Sequence, residues 1–127
     1  MAKEETNYRS NQFFVRLGNG VIDDIGRKCV EGEMEYLDLA VLTRIVSYRC
    51  LDADSEKGKR FSKQTKKTLI EFFKISEPRM RRCLHRLAEH QFISLIPAYF
   101  KNGRKVKKLR IKINPIVFPL PKKYRQK

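Results

Sequence analysis

The sequence predicts an α+β domain that is mostly helical, with three helices followed by a β-hairpin. Between residues 34 and 90, apolar residues recur at spacings of three and four, which is the period of helices that bury one face. After residue 92 the period changes to two, and Asn102-Gly103 separates two β-prone runs. Because Asn and Gly tolerate the positive φ angles of a two-residue turn, this pair predicts a hairpin.

The chain has 127 residues, enough for one domain with a single core of moderate size. We expect three segments: an N-terminal arm over residues 1–33, the domain over residues 34–114, and a basic, extended tail over residues 115–127. No apolar run is long enough to cross a membrane, and the polar N-terminus lacks the apolar stretch of a signal peptide. Cytoplasm is therefore the expected compartment.

Within the arm, residues Phe13 to Leu17 could form a short strand that a turn at Gly18-Asn19-Gly20 closes. The acidic stretch from Asp23 to Glu33 contains two glycines and is expected to be a loop or a short helix.

Three helices are predicted in the domain. The first spans about Met34 to Cys50 and is apolar enough to be the central core helix. The second begins at Ser62 or Thr65, since either side chain could cap it. The third runs from Ser76 to about His90, with Ser76 as its cap and a proline in its first turn, where the missing N–H costs nothing.

The third helix has two distinct faces. Its apolar residues, Met80, Leu84 and Leu87, recur on one side, whereas the basic residues Arg79, Arg81, Arg82, His85 and Arg86 lie on or beside the opposite side. Guanidinium groups reach both guanine edges and phosphates, so such a helix suits the major groove of DNA. The alternative is an ordinary amphipathic helix with a solvated basic face.

Charge is distributed unevenly along the chain, whose formal net charge is +15. Residues 1–56 contain 7 Lys and Arg against 11 Asp and Glu, whereas residues 57–127 contain 22 against 3. Because repulsion of this size destabilises a compact state, a polyanionic partner would relieve it. The distribution favours a nucleic acid as that partner over an anionic membrane.

The three cysteines, Cys29, Cys50 and Cys83, are odd in number and widely spaced. They form neither a disulfide framework nor a zinc-ligand pattern, so we expect free thiols and no bound metal or cofactor.

The order of helix, helix, turn, arginine-faced helix and basic hairpin resembles a winged helix-turn-helix domain over about Tyr36 to Asn114. The most specific part is the run from Leu69 to Ile93. The segment Lys59-Arg60-Phe61-Ser62-Lys63-Gln64 is also similar to the winged-helix domains of plasmid and phage replication proteins, in which a charged loop leads to a serine that opens the second helix.

The resemblance implies contacts with double-stranded DNA from three segments. Third-helix residues would enter the major groove, second-helix residues would contact flanking phosphates, and the wing would reach the adjacent minor groove or backbone. The residues implied are Ser76, Arg79, Arg81, Arg82, His85 and Arg86 in the third helix; Ser62, Lys63, Gln64, Lys66 and Lys67 in the second; and Lys101, Asn102, Arg104, Lys105 and Lys107 in the wing.

Two positions depart from the pattern. Lys74 occupies the turn between the paired helices, where glycine in the left-handed conformation is usual, so either the lysine adopts that conformation at a cost of about 1 kcal/mol or the turn has a different shape. Glu77 lies among the arginines and would repel phosphates, unless it accepts a hydrogen bond from cytosine or simply favours the positive helix N-terminus.

An enzymatic function is not expected, since the sequence has no glycine-rich phosphate loop, no outstanding carboxylate pair and no histidine pair with metal-ligand spacing. An RNA-binding or protein-adaptor role on the same fold is the second alternative. Aromatic residues among the basic ones would indicate single-strand binding. Core positions are expected, however, for Phe72, Phe73, Phe92 and Phe100.

Sequence-specific binding to double-stranded DNA is therefore the expected function, with transcriptional regulation first and plasmid or phage replication initiation or partition second. Because one such domain covers a short site, we expect a homodimer, formed through Phe13 to Leu17 or through the apolar tail from Ile116 to Leu120. A further protein partner could bind the acidic N-terminal half.

Overall fold

The computed structural model describes residues 18–55, 57–98 and 108–120. These residues form an α+β fold that is mostly helical, as predicted. Its elements are α1 (Asn19–Val30), α2 (Tyr36–Ser47), a short 3-10 helix (Gly58–Arg60), α3 (Lys66–Phe73), α4 (Glu77–Glu89), β1 (Ile93–Ala98) and β2 (Lys108–Ile113). No helix in the described ranges is long and apolar enough to cross a membrane.

The helix α1 corrects the prediction for the N-terminal arm. Gly18 has a φ of 76° and is the N-cap, so the chain enters the helix at Asn19 and the expected turn at Gly18-Asn19-Gly20 does not form. Of the loop or short helix expected from Asp23, the helix is the one that forms, up to Val30, and Asp24 stabilises it by pairing with basic residues one turn later. Ion pairs between residues three and four positions apart therefore stabilise a helix in this segment, although it contains glycine.

Each of the other helices begins at a residue that caps it. At α2 the caps are reciprocal, since Glu35 is the N-cap and the Asp38 carboxylate accepts from the Glu35 N–H at 3.0 Å. Of the two predicted caps of α3, Thr65 is the one used. Ser76 caps α4 by accepting from the backbone N–H of Arg79, as predicted.

A three-residue connection, residues 74–76, joins α3 to α4. Lys74 has φ 55° and ψ 46°, the left-handed conformation that glycine usually supplies in such a turn. Its backbone N–H donates to the carbonyl of Ile70 at 2.8 Å and so closes the end of α3. The turn keeps its usual shape at the cost of a strained lysine.

The strands β1 and β2 are antiparallel, with Ile93 opposite Ile113 and Ala98 opposite Lys108. On β2, Ile111 and Ile113 are fully buried, whereas Arg110 is exposed, which confirms the predicted alternation. Residues 61 and 62 also pair with β2, since the Ser62 N–H donates to the Ile111 carbonyl at 2.9 Å. The predicted Asn102-Gly103 turn lies outside the described residues.

The core extends beyond the predicted domain boundaries at both ends. Ile25 of α1 is fully buried, and Phe118 packs against Phe92 with ring centroids 6.4 Å apart. The guanidinium of Arg49 donates to the carbonyls of Phe118 and Pro119, which fixes the last described segment against the body of the fold. The unit that packs together therefore includes more than residues 34–114.

Two further expectations about apolar residues are wrong. Phe118 and Leu120 are buried within the protomer, so they are not free to form the expected dimer contact, although Ile116 is 89% exposed. Phe72 was expected in the core, but it is 54% exposed and lies on the surface, where the Arg44 guanidinium covers one face of its ring, 3.5 Å from ring centroid to Cζ. The other dimer segment, residues 13–17, and Phe100 lie outside the described residues.

Candidate nucleic-acid interface

The helix α4 separates its apolar and basic residues onto different sides. Met80, Cys83, Leu84 and Leu87 are buried against the other helices. The opposite side, here called the outward face of α4, consists of Arg79, Arg81, Arg82 and His85, all exposed. This arrangement agrees with the faces that the sequence predicted for seven of these residues; Cys83 had not been assigned to a face.

Members of the outward face differ in their partners. The side chains of Arg82 and His85 form no hydrogen bond or ion pair with any other residue in the described part of the chain. Arg79 lies 3.9 Å from a carboxylate oxygen of Glu35, and its side chain remains about half exposed. A polar side chain without a protein partner is available to an external one, so Arg82 and His85 form the freest part of this surface.

Arg86 does not belong to the outward face, contrary to the prediction. Its Nε and Nη2 donate to the two carboxylate oxygens of Asp38, at 2.8 and 3.0 Å, and Nη2 also lies 3.5 Å from Glu35. Asp38 is fully buried and Arg86 retains 23% of its side-chain exposure. The bidentate pair joins the N-terminal turn of α2 to α4, which assigns Arg86 a structural position.

The environment of Asp38 shifts the pKa values of its neighbours. Burial alone would raise the pKa of Asp38, but hydrogen bonds from Arg86, Cys83 and the Glu35 N–H outweigh burial and lower it. Burial raises the pKa of the Cys83 thiol, and its bond to Asp38 raises it further. The carboxylate is thus ionised and the thiol protonated at neutral pH. Cys29, Cys50 and Cys83 are free thiols, as predicted.

Glu77, the first residue of α4, is the acidic residue among the arginines. One of its carboxylate oxygens accepts from Arg81 Nη1 at 3.0 Å, and the other accepts from Lys66 Nζ at 2.8 Å. The hydrogen bond from Lys66, together with the charge of Arg81, lowers the pKa of Glu77. Two cations that the sequence assigned to DNA contact are therefore held by one carboxylate.

Among the residues predicted to bind DNA near the start of α3, some are buried and others are exposed. Ser62 and Gln64 are buried, so their side chains do not face a ligand. Ser62 Oγ donates to the Ile45 carbonyl at 2.8 Å and accepts from the Gln64 N–H, and Gln64 Oε1 accepts from Thr68. Lys63 is exposed and pairs with Asp52 at 3.2 Å.

Lys67 is exposed and has no ion pair among the described residues. It therefore remains accessible to a phosphate, and its contact with DNA stays a prediction.

Two basic residues of β2 were not among the predicted site residues. Arg110 is exposed, and its guanidinium lies over the Phe61 ring, 4.2 Å from the centroid. Lys112 follows on the same side of the strand. The alternation of basic and apolar residues in β2 was a sufficient signal for both. The predicted wing residues Lys101, Asn102, Arg104, Lys105 and Lys107 lie outside the described residues.

Comparison with protein-family models, with curated protein sequences and with solved structures found no match for this chain.

The described residues contain no group of three or more His, Cys, Asp or Glu side chains that could hold a metal ion. What this surface offers is positive charge on α4, on the first turn of α3 and on β2. Guanidinium and ammonium groups of this kind bind phosphates and base edges.

Proposed function

We propose that this protein binds double-stranded DNA in a sequence-specific manner, through a winged helix-turn-helix arrangement in which α4 is the recognition helix. The observation that carries the proposal is the outward face of α4, where Arg82 and His85 are exposed and lack protein partners in the described part of the chain. A free arginine on a helix can form two parallel hydrogen bonds to guanine O6 and N7.

The connection between α3 and α4 supports this proposal. It has three residues and a left-handed Lys74, and helix-turn-helix motifs use connections of this length. Lys67 on α3 would contact the phosphates that flank the groove. The antiparallel β1 and β2 follow α4 directly, as a wing would, and present Arg110 on an exposed face.

The proposal is tested with Arg82→Ala and a matched control, Arg27→Ala, which removes an exposed arginine from α1. A duplex enriched by the protein from a randomised library and a shuffled duplex of equal composition are titrated by fluorescence anisotropy. Arg82→Ala should weaken binding to the enriched duplex by about 1–3 kcal/mol and to the shuffled duplex much less. Arg27→Ala should change both affinities little.

Salt dependence provides a second measurement in the same titrations. If each protomer neutralises about 5–8 phosphates, log K should fall with log salt with a slope of roughly −4.5 to −7. A slope equal to one or two contacts, or equal small losses for Arg82→Ala and Arg27→Ala on both duplexes, contradicts duplex recognition by α4.

Binding of single-stranded nucleic acid is the second candidate, and the exposure of Phe72 favours it. Phe72 and Tyr48 both lie against the Arg44 guanidinium on the surface, and aromatic rings beside basic groups are the platform on which unpaired bases stack. Since Arg44 already covers one face of the Phe72 ring, duplex DNA stays first. Tighter binding to a single strand than to its duplex, lost in Phe72→Ala, would reverse this order.

The biological role proposed first is that of a small, non-enzymatic transcriptional regulator associated with the nucleoid in the cytoplasm. Replication initiation or partition of a plasmid or phage is the second, and footprinting on the DNA that flanks the coding region separates them. A homodimer is also proposed, because two half-sites give useful specificity. A protein partner of the acidic N-terminal half stays a proposal.

A further inference from the structure

The carboxylate of Glu77 links the two helices of the proposed DNA-binding motif. It belongs to the first residue of α4, and Lys66, which donates to it at 2.8 Å, is the first residue of α3. Arg81, which donates to the other oxygen at 3.0 Å, lies one turn further along α4. All three side chains are partly exposed, with 32% of Lys66, 41% of Glu77 and 54% of Arg81 accessible.

Each of the two carboxylate oxygens therefore accepts one hydrogen bond, and Glu77 restrains two cations in the free protein. A phosphate that approaches Lys66 or Arg81 also meets the negative charge of Glu77 beside the cation, although each cation has further N–H groups that Glu77 does not engage. Binding to random DNA depends on phosphate contacts alone, whereas a cognate site also offers base edges that other residues of α4 recognise. The carboxylate thus penalises phosphate-only binding more than it penalises binding to the cognate site.

We infer that Glu77 is a specificity-determining residue, which restrains Lys66 and Arg81 so that binding to random DNA is weakened relative to binding to the cognate site. This inference rests on the proposed DNA-binding function. It explains why an acidic residue occupies the basic surface. Release of the two cations should add up to two phosphate contacts on random DNA, so the slope of log K against log salt for random DNA should steepen by about one to two.

The test uses Glu77→Gln and the matched control Glu89→Gln. Both remove one negative charge from α4, but Glu89 is exposed and has no ion pair among the described residues. Glu77→Gln should raise the affinity for the shuffled duplex about threefold to tenfold, steepen its salt slope, and lower the ratio of enriched to shuffled affinity. Glu89→Gln should change both affinities by one small common factor and leave that ratio unchanged.

A double-variant comparison separates a specific restraint from a general charge effect. In a Lys66→Gln background one of the restrained cations is absent, so Glu77→Gln should raise the affinity for the shuffled duplex much less than in the wild type. If Glu77→Gln behaves like Glu89→Gln, or if its effect is the same in both backgrounds, the inference is wrong although the proposed function stands. If the wild-type protein fails to bind duplex DNA at low salt, the proposed function fails as well. Thermal unfolding of each variant verifies that it is folded.

Discussion

Replacement of Arg86 by methionine should destabilise the fold without removing a DNA contact. The guanidinium forms two hydrogen bonds with Asp38, and Asp38 is 0% exposed. Methionine keeps an unbranched apolar side chain at this position but leaves the carboxylate without its cation. The Glu35 N–H, which also donates to Asp38, cannot neutralise that charge.

The expected magnitude follows from the burial of the two partners. Removing one member of a buried ion pair costs about 3–5 kcal/mol, since the other charge stays buried without compensation. Arg86→Met leaves the fully buried partner and should therefore cost about 4 kcal/mol. Asp38→Asn leaves the partly exposed partner and preserves an acceptor for the Glu35 N–H, so it should cost about 2 kcal/mol.

Urea unfolding of the two variants and of the wild type measures these free energies. At low pH the difference should diminish, because the folded-state pKa of Asp38 lies below its ordinary value of 3.8. The stabilisation from this carboxylate is fully present above that ordinary pKa and is lost as the pH falls through the lower folded-state pKa. If Arg86→Met costs less than 1 kcal/mol at neutral pH, or flattens the salt dependence of duplex binding, the structural assignment of Arg86 is wrong.

Two substitutions test other parts of the fold by urea unfolding. Lys74→Gly should stabilise the protein by about 1 kcal/mol, because glycine adopts the left-handed conformation without the Cβ penalty. Lys74→Ala retains the Cβ and should give no such gain. Equal effects of the two substitutions would contradict a strained turn. Phe118→Ala should destabilise by about 3–5 kcal/mol, because it empties a core position. Its control, Ile116→Ala, changes a residue that is 89% exposed and should stay within about 0.5 kcal/mol; similar small effects of both would mean that the tail does not belong to the core.

Local signals in the sequence were sufficient for much of the fold. The Ser76 cap, the apolar side of α4 and the alternation along β2 each depend on residues a few positions apart, so a pattern reveals them. Thr65 and Ser62 were equally good candidates for the α3 cap. The choice between them depends on the carbonyl of Ile45 on α2, to which the Ser62 hydroxyl donates.

The errors in the candidate site have the same physical origin. Arg86 and Asp38 are separated by 48 positions, so no local pattern shows that the guanidinium has an internal partner. Phe118 likewise becomes a core residue only because Arg49 and Phe92 lie where the tail passes. Basic residues can be counted from a sequence, but their availability depends on which acidic residues the fold brings near.

Helix geometry explains which of the α4 cations remain available. At about 100° per residue, Arg79 and Arg86 lie almost in line along one flank of the helix, and Arg81 lies on the other flank. The flank with Arg79 and Arg86 faces the N-terminus of α2, where Glu35 contacts both arginines. On the opposite flank Arg81 pairs with Glu77, which Lys66 of α3 also contacts.

Arg82 and His85 lie between the two flanks, on the side of α4 opposite its buried residues. No described residue forms a hydrogen bond or ion pair with their side chains. Acidic residues thus lie on both margins of the first turns of α4 and leave Arg82 and His85, here called the crest, between them, whereas the exposed Glu89 lies about two turns after Arg82 on the same line. A ligand that approaches the crest meets Arg82 and His85 first and reaches the paired cations only by competing with carboxylates. We therefore expect base contacts at the crest, with the selectivity of the surface set at its margins.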